Sequence, residues 1–458
     1  MREEKMMLLD EARALLGERR LAALRHLLSA ELPQDIVELL VELSGEEQLL
    51  VYRLLPKETA AEVLVEMASE DRRALVEAFS DYELRRVLDE LYSDDTADLL
   101  EEMPANFVRR ILENCTPEMR RSVNELLKYP EGSAGSIMTT EYVRLSANMT
   151  VAEALSHIRK VAIDKETIYT CYVTDSARRL IGIVTARMLL IAPLDGTVGE
   201  LMEENVISVG THDEREAVAR LFDRYNFLAL PVVDGDGRLV GIITVDDAIE
   251  VLSEEVEEDF AKMAAIVPTD RPYLRESPIS IFLTRIPWLL LLMLGATFTG
   301  LIITSFERAL AASVVLTAFI PMLMGTGGNS GSQASVTVIR GLSLGELSYR
   351  HAPVVLLKEL CVSLLCGVTL AAVNFGKMML FDGLLLGNAA VTPAVALAVS
   401  LALLATVVAA KLIGGFLPLF VGRIGLDPAV MAGPFITTLV DAVSLLVYFS
   451  VASALLGI

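Results

Sequence analysis

The chain has 458 residues, with 39 basic and 61 acidic side chains for a formal net charge of −22, yet 53% of it is hydrophobic. A strongly acidic chain is normally a strongly polar one, so a simple soluble enzyme is excluded. The negative field also argues against nucleic acid as a partner. Dividing the chain after Pro278 resolves the conflict: residues 279–458 hold 8 basic and 6 acidic residues, and the first 278 hold 31 and 55. An acidic, polar half is followed by an oily one.

The N-terminus, MREEKMMLLDEARALLGERR, alternates charge with leucine at helical spacing. It has no uninterrupted apolar stretch of the kind a signal peptide needs, so the acidic half is expected to stay in the cytoplasm. Residues 21–128 repeat with a period near 24. One series of helix starts falls at Pro33, Pro56, Ser80 and Pro104, and an interleaved series at Ser44, Ser69, Ser93 and Thr116. In SGEEQLL and SDYELRR a Ser precedes a Glu by three residues, which is the pattern of a capping box. Each helix of about ten residues is too short to be stable alone in water, so the repeats must stack on a shared core.

Residues 136–252 hold a second repeat, of period 59, in which TCYVTDSARRLIGIVTARM (170–188) matches LPVVDGDGRLVGIITVDDA (230–248). Each copy reads as a strand, an Asp-containing turn and a second strand leading into a helix. The tandem resembles a pair of CBS domains, an α/β module that often binds adenine nucleotides. The nucleotide signature of that module, Gly-x-x-Thr-x-x-Asp, is present in the second copy as Gly241, Thr244 and Asp247. In the first copy Gly182 and Thr185 remain, but Met188 stands in place of the Asp. The resemblance therefore implies Thr244 and Asp247 as candidate ATP contacts. From Asp246 a carboxylate-rich helix, DDAIEVLSEEVEEDFAKMAAIV, runs toward the oily half.

The oily half offers five stretches long enough to span a bilayer, at 280–305, 309–338, 353–376, 391–421 and 428–457. Arg271, Arg275, Arg285, Arg340, Arg350 and Arg423 fall on one side, which the positive-inside rule places in the cytoplasm, with Ile458 outside. The expectation is a multi-pass protein of the cell (inner or plasma) membrane with cytoplasmic N-terminal domains. Intramembrane polar groups are costly and point to function. In FIPMLMGTGGNSGSQ, Pro321 and four closely spaced glycines predict interrupted, irregular backbone, with Asn329 and Gln333 supplying amide oxygens. In DPAVMAGPFITTLVD, Asp441 sits mid-span, and no Lys or Arg follows Arg423 to pair with it. A cation site on a pore is the reading this favours over a satisfied structural Asp.

Helical repeat, CBS pair, acidic connecting helix, PMLMGTGGNSGSQ (321–333) and DPAVMAGPFITTLVD (427–441) together resemble the MgtE family of magnesium channels and transporters. The resemblance covers the whole chain. It implies an all-α superhelix (1–130), a tandem CBS α/β region (131–248), a connecting helix and linker (249–278) and a five-helix transmembrane domain (279–458). It further implies a homodimer in the lipid bilayer, with Asp441 and Asn329 in the pore and Mg²⁺ as both substrate and regulatory ligand. The positions matching the family's sensing acids are Asp94, Asp98, Glu214, Glu216, Asp247, Glu250, Glu255, Glu258, Asp259 and Asp427. The chain is expected to be a transporter and not an enzyme, and it has no GxxxxGK[ST] motif for ATP hydrolysis. Two other readings stand beside this one: a transporter of Mn²⁺, Co²⁺ or Ca²⁺, whose oxygen preferences overlap, and a membrane-anchored CBS nucleotide sensor.

Overall fold

The computed structural model describes residues 2–269, 273–274 and 276–457. Arg271, Arg275 and Ile458, used above to argue orientation, lie outside the described residues. The chain forms two compact units, Met1–Glu255 and Val256–Ile458.

The first unit begins with ten short helices: α1 (Arg2–Gly17), α2 (Leu21–Leu28), α3 (Pro33–Val41), α4 (Gly45–Tyr52), α5 (Lys57–Val65), α6 (Ser69–Glu77), α7 (Asp81–Leu88), α8 (Ser93–Glu102), α9 (Ala105–Asn114) and α10 (Pro117–Leu126). Helices pack on those two further along, α3 on α5, α5 on α7, α7 on α9 and α4 on α6, as a solenoid of helix pairs does. Helix starts recur where the period near 24 places them. Ser44 and Ser80 close capping boxes with Glu47 and Glu83. Ser69 and Ser93 lie one residue inside their helices, whose N-caps are Ala68 and Tyr92. One continuous core follows, with Ile36, Val51, Val63, Val76, Ile111 and Val123 fully buried.

Two three-stranded sheets follow, β1 (Arg144–Leu145), β2 (Thr170–Thr174) and β3 (Leu180–Thr185), then β4 (Val209–Gly210), β5 (Ala229–Val233) and β6 (Leu239–Thr244). In each, the first pair is parallel and the second antiparallel, and the bulge falls at the same place, Val173/Thr174 and Val232/Val233. Helices α11 (Val151–Val161), α12 (Ala186–Ile191), α13 (Val198–Leu201) and α14 (Arg215–Tyr225) lie between strands. The two copies exchange their leading segments. Thr139, ahead of the first copy, bridges to Ile242 of β6, while Glu203, ahead of the second, bridges to Ile183 of β3. Gly182 and Gly241 make room for this: a Cβ on either would lie 2.8 Å from Met202 Sδ or 2.6 Å from Met138 Sδ. Helix α15 (Val245–Met263) leaves β6 directly.

The second unit is helical: α16 (Pro278–Ser305), α17 (Glu307–Ala312), α18 (Ile320–Ser343), α19 (Ala352–Lys377), α20 (Pro393–Arg423) and α21 (Gly433–Leu456). Among the described residues four helical stretches are long and apolar enough to cross a membrane: Pro278–Ser305, Tyr349–Leu385, Pro393–Arg423 and Gly433–Leu456. The expected second span differs. It starts at Ile320 rather than 309, and its 24 residues are long enough, but its glycines and hydroxyls keep it from qualifying on apolarity. It packs along α20 and α21.

The backbone of 321–333 also differs from the expectation. It is continuous α-helix, and Pro321 falls in the first turn, where a missing N–H costs nothing. Most of its glycines serve close packing instead. A Cβ on Gly414 would lie 2.2 Å from the Gly331 carbonyl oxygen, and one on Gly327 would lie 2.4 Å from Ser444 Oγ. Helices can approach this closely only where both lack side chains. Gly414→Val is therefore expected to separate α18 from α20 and cost about 1–3 kcal/mol or more. Gly300→Ala, where a Cβ meets nothing within 4 Å, is the control, and thermal unfolding of the detergent-solubilised protein compares the two.

Candidate cation sites

In the first unit the chain gathers carboxylates with little countercharge. Helix α8 supplies Asp94, Asp95 and Asp98, the start of α15 supplies Asp246, Asp247 and Glu250, and the segment after α11 supplies Glu166. Asp94 is 9% exposed, and its Oδ1, like Glu166 Oε2, is buried without a hydrogen-bond partner. Asp247 accepts from its own helix start, the Thr244 N–H at 3.2 Å and Thr244 Oγ1 at 2.5 Å. Beside them Glu141 takes hydrogen bonds from Ser93 Oγ at 2.6 Å and Thr139 Oγ1 at 2.7 Å. The cationic neighbour is Arg72, 3.8 Å from Glu102 and bonded to the Val65 and Met67 carbonyls.

Burial, reinforced by neighbouring negative charge, pushes these acids toward their neutral forms. Asp98 rises to about 7, Asp247 to about 7 and Glu166 to about 8. Asp95 rises to about 6 through burial, partly offset by a backbone hydrogen bond and by Arg72. Asp94 rises well above the ordinary range for the same reasons of burial and the adjacent Asp95 charge. Such acids are stable either protonated or beside a cation. Among the described residues no three His, Cys, Asp or Glu converge as a ready-made metal site. An ion would have to draw the carboxylates in.

The other expected sensing acids are placed differently. Glu216 pairs with Arg220 one turn on, and Arg215 reaches Glu254 at 2.9 Å and Glu255 at 3.7 Å. Glu214 caps α14 and lines a small cavity with Glu131, Arg215 and Glu255. In the second unit Glu258 and Asp427 both pair with Lys262, and Ser343 Oγ donates to Asp259 at 3.2 Å. Thus Glu216, Glu258 and Asp427 carry protein countercharges, whereas Asp94, Asp98, Asp247 and Glu250 belong to the underpaired cluster.

Asp441 lies on α21, half-buried, and no described residue forms a hydrogen bond or ion pair with it. Gly328 of α18 leaves it open, since a Cβ there would come within 3.5 Å of Asp441 Oδ1. Asn329, the next residue, is exposed, and no hydrogen bond links it to Asp441.

Sequence comparison places these features. Residues 320–451 match a family described as a divalent cation transporter, residues 32–132 match the MgtE intracellular N domain, and residues 134–195 and 198–254 match CBS domains. A magnesium transporter MgtE of Thermus thermophilus is 40% identical over 437 residues, 95% of each chain. The chain belongs to the MgtE family. A second MgtE, from Enterococcus faecalis, is 35% identical over 72% of this chain and 71% of its own. Among solved MgtE structures, the cytosolic domain of a Mg²⁺ channel in complex with ATP aligns at TM-score 0.52 and 40% identity, covering 53% of this chain and 99% of that one. The soluble part of a magnesium transporter aligns at 0.51 and 30% identity, covering 55% and 99%. The family's function is transport, and its members here are membrane proteins rather than enzymes.

Sequence reasoning missed Asp95, Glu166 and Asp246. Asp95 and Asp246 stand in doublets, SDDTAD and VDDA, a signal that both members of each pair deserved weighing. Glu166 carries no motif, and its place in the cluster comes from the fold, where its backbone N–H donates to the Glu141 carbonyl at 2.9 Å.

The raised acids set a pH dependence with a definite sign. The folded unit holds protons that the unfolded chain releases, so its stability falls as pH rises between about 4 and about 8. In chelator the melting temperature of residues 1–255 should drop across that interval, and added Mg²⁺ should remove most of the drop. A melting temperature that rises with pH would contradict this.

Proposed function

We propose that the chain is a homodimeric Mg²⁺ channel or transporter that admits Mg²⁺ down its electrochemical gradient, with the N-terminal domains in the cytoplasm and the C-terminus outside. The observation that carries the reading is Asp441: an acid with no hydrogen-bond or ion-pair partner among the described residues, on a membrane-spanning helix, kept open by Gly328, in a chain whose relatives are named magnesium transporters. Mg²⁺ gives up water reluctantly and is usually held by one or two carboxylates plus waters. Two copies of Asp441, one per protomer, would suit a largely hydrated ion, with Asn329 beside them. An inside-negative potential favours entry by about 2.3 kcal/mol per charge per 100 mV, roughly twice that for a divalent ion.

Cytosolic Mg²⁺ then closes the path. The cluster of Asp94, Asp98, Asp247 and Glu250, together with Asp95 and Glu166, repels itself when no ion is bound. It draws together when one is. That is a population shift driven by an ion with higher affinity for the compact state. Glu214 and Asp259 would add to the same response, as would Glu216, Glu255, Glu258 and Asp427 once their lysine and arginine partners yield. ATP is a second candidate ligand at Thr244 and Asp247, where one Asp247 oxygen, Oδ2, accepts from the Thr244 N–H and Oγ1 and the other is left for a ligand. The family description, a divalent cation transporter, keeps Mn²⁺, Co²⁺ and Ca²⁺ as alternative cargo.

Mg²⁺ uptake into proteoliposomes tests the pathway. Asp441→Ala should reduce flux at least tenfold, and undiminished flux would remove Asp441 from the path. Competition by Mn²⁺, Co²⁺ and Ca²⁺ in the same assay ranks the cargo. For closure, Asp94→Asn combined with Asp98→Asn and Asp247→Asn should leave flux high at millimolar internal Mg²⁺, where wild type is shut. A triple variant that shuts like wild type would sink the cluster's role.

A further inference from the structure

The last two turns of α15, from Val256 on, belong to the second unit, and three contacts fasten them there. Lys262 Nζ lies 2.6 Å from Asp427 Oδ2 and also pairs with Glu258, one turn back on its own helix. Asp427 uses its other oxygen, Oδ1, to accept the Ala429 N–H at 2.8 Å, opening the short turn Pro428–Met431 that leads into α21. Asp259 accepts from Ser343 Oγ at the end of α18. Finally, the Met263 carbonyl oxygen sits where any side chain on Gly433 would be, 2.4 Å from a Cβ, and Gly433 has a positive φ of 45°. So the end of α15 touches the first residues of the helix that carries Asp441 and the last residues of the helix that carries Gly328.

Without Lys262, Glu258 and Asp427 would lose the cation they share, and VEEDFAKM (256–263) contains Lys262 as its single basic residue. Burial works against the Lys262 charge, yet the hydrogen bonds to Asp427 and Glu258 outweigh it and hold the ammonium above the ordinary lysine range. The lysine is three-quarters buried and Asp427 two-thirds buried at the side chain, 24% and 34% exposed, so water screens the pair less than it would a surface pair. Mg²⁺ and an ammonium cannot occupy Asp427 together at close range.

We propose that Lys262 is a positioning residue that acts as a tethered cation, holding the end of α15 against Asp427 when no divalent ion is present. This rests on the gating reading above and refines it. Closure then has two components: a Mg²⁺-independent part set by Lys262, and a Mg²⁺-dependent part set by the carboxylates of the first unit. Cytosolic Mg²⁺ adds to the latch rather than forming it.

The test is single-channel recording of the full-length dimer in proteoliposome patches, with the cytoplasmic face first in Mg²⁺-free solution and then in saturating Mg²⁺. Lys262→Met should raise Mg²⁺-free open probability about fivefold, the scale of one partly buried ion pair. It should still close in saturating Mg²⁺, at a lower midpoint, because Asp427 is freed for the ion. Lys262→Arg should return both quantities to wild type. The charge swap Lys262→Asp with Asp427→Lys should restore Mg²⁺-free closure relative to Lys262→Asp alone, and it keeps the test valid if Lys262→Met fails to fold. A Mg²⁺-free open probability unchanged in Lys262→Met, or a swap no better than Lys262→Asp, overturns the latch while leaving Mg²⁺ gating intact. A wild type that ignores saturating Mg²⁺ overturns the gating reading first.

Discussion

Repulsion between buried carboxylates is the constraint around which the cytoplasmic unit is organised. Leu99 of α8 and Ala248 and Val251 of α15 are buried in one hydrophobic core, and burial in the same region removes water from Asp94, Asp95, Asp98, Asp247 and Glu166. Coulomb energy between unit charges at 4 Å rises from about 1 kcal/mol in water to about 4 kcal/mol at the effective dielectric of a protein surface. The solenoid and the CBS pair supply the hydrophobic energy that holds such acids near one another. What they do not supply is enough positive charge, with Arg72 placed against Glu102 and two carbonyls. A structure that is stable except for missing countercharge is one that answers to ions.

The membrane unit solves a different problem with smaller residues. Gly331 and Gly414 let α18 and α20 approach until backbone meets backbone, Gly327 and Gly331 admit Ser444 and Val440 of α21, and Ser335 Oγ donates to the Met431 carbonyl at 2.8 Å. This rigid seam fixes the height of Gly328 against Asp441. The acid that would meet the ion is thus positioned by residues that never touch it, as a preorganised site requires.

Much of this was legible in the sequence because the signals were periodic. A period near 24 and two capping boxes define the solenoid, and a period of 59 reproduces even the bulges of the two sheets. The Gly-rich run was misread where its meaning depended on a neighbour. Pro321 and the glycines suggested broken backbone, but Pro at a helix start is harmless and the glycines face Gly414, Val440 and Ser444, partners more than 80 residues away. The same limit applied to acids. Glu216 and Glu255 looked like free ligands, and only the fold shows Arg220 and Arg215 beside them. A run of carboxylates reveals charge, whereas pairing depends on tertiary contacts that no local pattern encodes.

The exchanged segments of the CBS pair carry a consequence for synthesis. Thr139 must wait for Ile242, a hundred residues later, before its backbone bridge can form, and the first sheet must wait for Glu203. Neither copy gains the bridge to its leading segment while the other is missing, so joining the two copies comes late, as high sequence separation between contacts dictates. Within the solenoid ahead of them, each helix packs mainly on near neighbours in the chain and can settle as it emerges. Because α16 begins at Pro278, soon after Ile242, the first membrane helix is made close behind the residues that join the two CBS copies.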